Sequence, residues 1–214
     1  MGEGFLATMN EVIEKLKVFF YGFKDYLASS LDLEDLKEIG RRYAVTNSFD
    51  SVLMMLGILL GSYSTGVSNS TTVMGLIIAG AGSIFLSGFL GTYISERAER
   101  ELKVKELEKA VMITLEETII GKMERRKAIL IALMSGGVPS LVVVLLAIPF
   151  YLNILGFICL EHSYASSVIE ALSFLLIIGA YLGSISGKSR IIYALLTLGA
   201  GLLLVVIAIW IGIK

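Results

Sequence analysis

Cysteine, histidine and proline are scarce in this chain: its 214 residues include one Cys, one His and two Pro. The lone Cys159 has no partner within its own chain, which excludes a disulfide scaffold. A single histidine, His162, excludes a His-pair metal centre in one chain, and no Gly-x-Ser-x-Gly elbow or paired-cysteine motif occurs, so nothing points to an enzyme. Charge is thin as well, at 17% of residues against 56% hydrophobic, with a mean hydropathy of +0.81. Those proportions exclude disorder and lie outside the range of soluble domains. They describe an integral membrane protein, whose first partner is the lipid bilayer.

A bilayer core takes about 20 consecutive apolar residues to cross as a helix. Five stretches qualify: Ala44 to Tyr63, Val73 to Ile94, Ala128 to Leu152, Val168 to Ile185 and Ile191 to Ile213. The expected fold is all-α and polytopic, with residues 44–94 carrying spans one and two, 95–127 a charged helical segment, and 128–214 spans three to five. Lys15, Lys17, Lys24, Lys37, Arg41 and Arg42 precede the first span, and nine lysines and arginines lie between Arg97 and Lys127. The loops Ser64 to Thr72 and between spans three and four carry no basic residue, so the positive-inside rule gives N-in, C-out. The basic residues are interleaved with acids and are accounted for by topology, so nucleic acid is not an expected partner. Spans one and two enter the membrane in the opposite sense to spans four and five, as in an inverted repeat, and both pairs carry spaced glycines, Gly57 and Gly61 against Gly179, Gly183 and Gly187.

Residues 1–43 do not read as a cleavable signal, since the N-terminus has no basic n-region and scatters acids and lysines among its apolar residues. Phe5, Met9, Val12, Leu16, Phe19, Phe23 and Leu27 recur at helical steps, the stripe of an amphipathic helix lying on the membrane or on the protein's own cytoplasmic helices.

Within the spans, Asp50 is the informative residue, because an ionisable group there costs roughly 2.5–3.5 kcal/mol and is usually retained for ions, protons or a partner. A structural role, pairing with Arg41 or Arg42 near the cytoplasmic end, also fits. Asp50, Met54, Gly57 and Gly61 step by four, three and four and so share a helix face, a candidate pathway lining. A carboxylate and a thioether one turn apart suit a first-row divalent metal. One chain supplies too few ligands, whereas a two-fold dimer about span one doubles them.

Span two carries Gly75, Ala79, Ser83, Ser87 and Gly91 at four-residue steps, a small-residue ridge suited to close helix approach; Ser83 and Ser87 are also candidates for lining a hydrated path. After it, Glu96 to Lys109 form a charged run expected to continue span two as a cytoplasmic helix, with Glu96–Arg100 and Glu99–Lys103 as i,i+4 pairs. A continuous helix keeps Glu99, Glu106 and Glu117 near one face, where carboxylates can collect metal. Glu170 reads as falling in the first turn of span four, capping the helix dipole or accepting protons. Pro139 and Pro149 would free carbonyls in span three.

The string Arg41-Arg42-Tyr43, Asn47-Ser48-Phe49-Asp50, Gly57-Ile58 resembles the first-span signature of the vacuolar iron transporter family. Ala79-Gly80-Ala81 with Ser83, then Ser95-Glu96 and Glu99, is similar to its second-span motif, Pro149-Phe150 to the end of its third span, and Ile211-Gly212 to its terminus. The resemblance covers Arg41 to the end. It implies a homodimer whose first spans line a path for Fe²⁺ or Mn²⁺ leaving the cytosol in exchange for protons, with Asp50 as the transport aspartate and no permanently bound cofactor. It also implies cytoplasmic metal binding through Glu106, Glu117 and Met123-Glu124. The chain departs from the pattern at Ser51, at Ile84 in place of a metal-ligating methionine, and at Ser87-Gly88-Phe89, and its segment 95–126 is shorter than the family's metal-binding domain. If the host is prokaryotic, the expected location is the cell membrane. The competing expectation is a membrane-anchored interaction protein whose charged helix docks cytosolic partners.

Overall fold

The computed structural model describes residues 33–115 and 118–212, and helices account for most of them. α1 spans Leu33–Ser64, α2 Ser70–Val111, α3 Ile119–Leu145, α4 Ile148–Ile154, α5 Leu160–Ile185 and α6 Arg190–Gly212. No strand occurs among the described residues. The amphipathic stripe from Phe5 to Leu27 lies outside the described residues, as does Glu117.

All helices but α4 are long and apolar enough to cross a membrane. They leave a broad apolar surface: Ile94 is 66% exposed, Ile191 71% and Trp210 83%. Continuous apolar exposure of that kind is costly in water and costs nothing against lipid tails, and each helix satisfies its own backbone, as a spanning segment must. The chain is an all-α, multi-pass membrane protein with five spanning helices.

α1 has two opposed faces. Val52, Met55, Leu56 and Leu59 step by three, one and three and are fully buried in the main core with Val73 and Ile77 of α2, Phe150 of α4 and Leu175 of α5. Asp50, Met54, Gly57 and Gly61 lie on the other side and are exposed. α3 runs through the middle of the bundle, packed on both α1 and α2, while α1 and α2 touch each other little. α2 and α3 meet where both lack a side chain. A Cβ on Gly136 would stand 2.5 Å from the Phe85 carbonyl oxygen, and one on Gly88 2.9 Å from the Gly136 Cα. The ridge expected to serve this purpose, Gly75 to Gly91 in steps of four, is turned away from the bundle, with open space beside Gly75 and Gly91.

Two expected boundaries move. The third span stops at Leu145 rather than Leu152 and the chain restarts as α4, because Pro149 has no N–H for the Leu145 carbonyl but fits the first turn of a new helix. Pro139 is instead retained inside α3, fully buried. α5 begins at Leu160, eight residues before the apolar run, because its polar residues are satisfied internally: the Ser163 hydroxyl donates to the Cys159 carbonyl at 3.2 Å and that of Ser167 to the Leu146 carbonyl at 2.9 Å. Glu170 is therefore nearly three turns inside the helix, and Glu161 occupies its first turn. Dipole capping by Glu170 is thus corrected. The glycines of the two helix pairs also differ in use. Gly179 and Gly183 press against α6, within 2.5 Å of the Tyr193 carbonyl and 2.7 Å of Arg190 Cα for a built Cβ, whereas Gly57 and Gly61 face open space.

α2 is 42 residues long, about 63 Å at 1.5 Å per residue, twice the thickness of a hydrocarbon core, and its second half is the charged run. It ends at Val111, where Met112 takes a left-handed conformation (φ 54°), so the helix face that carries Glu99 and Glu106 stops there. The extension is not simply a solvated rod. Glu96 and Arg100, 3% and 2% exposed, are turned onto the start of α3, where Arg100 bonds Glu124 at 2.5 Å and Glu96 at 3.3 Å, and Lys127 bonds Glu124 at 2.9 Å. Two acids and two bases neutralise one another in that junction. Burial opposes ionisation of Glu124, but the hydrogen bonds from Lys127 and Arg100 outweigh it and hold its carboxyl below the usual glutamate value.

Candidate functional site

Because α1 and α2 diverge while α3 fills the gap behind them, a groove of about 460 Å³ opens between their outer faces. α1 contributes Tyr43, Asn47, Asp50, Ser51 and Met54, and α2 contributes Ile84, Ser87, Gly88, Gly91 and Thr92. Positions 43, 47, 50 and 54 continue the four-three-four stepping, so one helix face presents a phenol, an amide, a carboxylate and a thioether in order.

Asp50 is exposed in this groove, and among the described residues it forms no hydrogen bond or ion pair. Pairing with Arg41 or Arg42 does not occur; the Arg42 guanidinium sits 5.7 Å over the Tyr43 ring. Counted from Ala44, Asp50 is about 9 Å along a spanning helix. Met54, 38% exposed, reaches across to α2, its methyl 3.3 Å from where a Cβ on Gly80 would lie. Ile84 lines the opposite wall and brings no ligand atom. Ser87 lines the groove too, but its hydroxyl donates to the Ile84 carbonyl at 3.3 Å. Ser83 is exposed outside the groove lining, and Gly57 and Gly61 prolong the Asp50 face beyond it.

A polar cluster backs the groove. Asn47 Nδ2 donates to Ser135 Oγ at 2.7 Å and to the Ser135 carbonyl oxygen at 3.1 Å, and Ser135 Oγ lies 2.6 Å from Thr92 Oγ1. Asn47, Thr92 and Ser135 thus tie α1, α2 and α3 together at the level of Asp50. Sequence reasoning treated Asn47 only as part of a motif and passed over Thr92 and Ser135. Asn47 was reachable, since it sits one turn before Asp50 on the same face.

The candidates expected on the cytoplasmic side are dispersed. Glu99 and Glu106 are exposed on α2, Met123 is half-buried, and both oxygens of Glu124 are engaged by Arg100 and Lys127. A cleft of about 150 Å³ beside them is lined by both signs of charge, including Arg97, Lys105, Glu101 and Glu124. Arg97 donates to Glu101 at 2.8 Å, which lowers the Glu101 pKa. Among the described residues, no three His, Cys, Asp or Glu side chains converge on a metal position. The groove is the chemically distinctive place, because its single carboxylate has no counter-ion among the described residues.

This geometry defines a five-span helical membrane protein with a groove on a spanning helix whose carboxylate has no partner among the described residues. The chain is similar to an uncharacterized protein of Methanocaldococcus jannaschii, 28% identical over 173 residues that cover 79% of this chain and 86% of that one. No family model and no solved structure matches it.

Proposed function

We propose that the chain is a divalent-metal transporter that moves Fe²⁺ or Mn²⁺ out of the cytosol in exchange for protons, as its resemblance to the vacuolar iron transporters implies. The observation that carries this reading is the Asp50 carboxylate on the open α1–α2 groove, which has no partner among the described residues, with the Met54 thioether one turn away. An ionised carboxylate left against lipid is costly, so the arrangement calls for water, a cation or a second protein surface in front of it. A two-fold homodimer through this face supplies the last of these. It turns one carboxylate and one thioether into two of each, a mixed donor set suited to a first-row divalent ion. The open space beside Gly57 and Gly61 lets two α1 helices approach closely.

The basic residues at the exposed end of α2 and the start of α3 support an N-in, C-out orientation by the positive-inside rule, in the cell membrane if the host is prokaryotic. Exporting a divalent ion against an inside-negative potential of 100 mV costs about 4.6 kcal/mol, which inward protons offset. Protonation of Asp50 from the outer side would release the metal there. Mn²⁺ uptake into proteoliposomes, with Fe²⁺ as comparison, tests the assignment. Wild type transports and Asp50→Asn, equally folded, does not; equal flux through both would overturn it.

A further inference from the structure

We infer that Asn47 is a second oxygen ligand for the transported cation, its amide oxygen aimed at the groove by a carbonyl that Pro139 sets free. The inference rests on the transporter reading and adds to it a ligand that the resemblance does not supply.

In a regular helix the Ser135 carbonyl would accept the N–H of residue 139, but that residue is proline and has none. The carbonyl is buried in the bundle, where an unsatisfied acceptor is costly. Asn47 Nδ2 takes that place at 3.1 Å and also bonds the Ser135 hydroxyl at 2.7 Å. This fixes the orientation of the amide, because a carbonyl only accepts and must face the NH₂ group. The NH₂ group is then held by Ser135, through both its carbonyl and its hydroxyl oxygen. The amide oxygen is left on the other side of the group and accepts no hydrogen bond among the described residues.

Asn47 lines the groove with Asp50, three residues on and one turn away, and with Met54, seven residues on. Each chain then offers an amide oxygen, a carboxylate and a thioether on one helix face. The added donor is hard and neutral, so it favours Mn²⁺ without increasing the charge that a returning proton must neutralise. Ser135 and Thr92 are positioning residues, acting on the cation through Asn47.

The test is equilibrium binding of Mn²⁺ and of the softer Cd²⁺ to the full-length protein in detergent, with thermal unfolding recorded for each variant. Asn47→Ala is expected to weaken Mn²⁺ at least about tenfold, the size of effect common when a metal site loses a supporting partner, and Cd²⁺ by no more than about threefold. Pro139→Ala returns an N–H to the Ser135 carbonyl and releases the amide, so it should give the same Mn²⁺-selective loss with Asn47 still present. In the double variant Asn47→Ala/Pro139→Ala the carbonyl is satisfied within α3, which preserves the fold while the Mn²⁺ loss persists. Proportional loss of both metals, or no loss of either, in that double variant overturns the ligand assignment. If Asp50→Asn abolishes Mn²⁺ binding while the double variant binds like wild type, Asn47 is no ligand and the transporter reading stands. If Asp50→Asn binds Mn²⁺ like wild type, or wild type binds none, both readings fall.

Discussion

Replacing Gly136 by alanine should pry α2 from α3, while the same change at the adjacent Gly137 should do nothing of the kind. A Cβ on Gly136 would lie 2.5 Å from the Phe85 carbonyl oxygen and 2.8 Å from the Phe89 amide nitrogen, and both are backbone atoms that cannot rotate aside. Ordinary contact begins at 3.4 Å, so the helices must separate by about 0.9 Å at the crossing. Overpacking of this kind costs about 1–3 kcal/mol, offset in part by the about 0.5–1 kcal/mol that alanine gains over glycine in a helix. Gly137 has nothing within 4 Å of its Cβ position, so Gly137→Ala keeps only the second, favourable contribution. The separation also stretches the 2.6 Å contact between Thr92 and Ser135, so the groove changes shape along with the stability. Equilibrium unfolding in mixed detergent micelles reads the difference. Gly136→Ala should be less stable than Gly137→Ala by at least about 1 kcal/mol, and equal stability would refute the crossing described here.

Removing the Arg100 side chain as Arg100→Met leaves Glu96 and Glu124 facing each other without their shared cation, and should cost about 3–5 kcal/mol in the same assay. Arg97→Met, which breaks an exposed pair with Glu101, should leave stability nearly unchanged. The Glu124 carboxyl titrates below the usual glutamate value of 4.5 in the folded protein, so its contribution is complete above the unfolded value and is lost as pH falls through the folded one. Thermal stability of wild type should therefore drop on acidification below about pH 4.5, more steeply than that of Glu124→Gln. In the proposed homodimer, Gly57→Cys on a Cys159→Ser background should cross-link between copies, since position 57 faces open space, and Leu59→Cys, fully buried in the chain's own core, should not. Cross-linking through neither position would place the subunit contact elsewhere.

Much of the architecture is written in hydropathy. Twenty-residue apolar runs place the spanning helices, and the charged run after Ile94 continues α2 as helix to Val111. The face through Asp50, Met54, Gly57 and Gly61 is also legible, because helical stepping fixes relative direction whatever packs around it. What periodicity cannot report is which neighbour a face meets. Two small-residue stripes run along α2, and only contact with Gly136 selects the one containing Gly88. The start of α5 was hidden because Ser163 and Ser167 read as polar loop until their hydroxyls are matched with the Cys159 and Leu146 carbonyls. Glu96 and Arg100 read as an ordinary surface pair until α3 brings Glu124 and Lys127 against them. The role of Asn47 depends on a proline 92 positions away, a relation visible only once α1 and α3 are side by side.

The claim at the centre of this account is that Asp50 lies on a path for divalent metal driven by protons. Simultaneous recording of internal Mn²⁺ and internal pH in proteoliposomes under an imposed pH gradient tests it most directly, with wild type and Asp50→Asn compared at equal protein. The account predicts Mn²⁺ and protons moving in opposite directions through wild type, with neither flux in the variant. Mn²⁺ movement without a proton signal, or coupled fluxes that persist in Asp50→Asn, would contradict it.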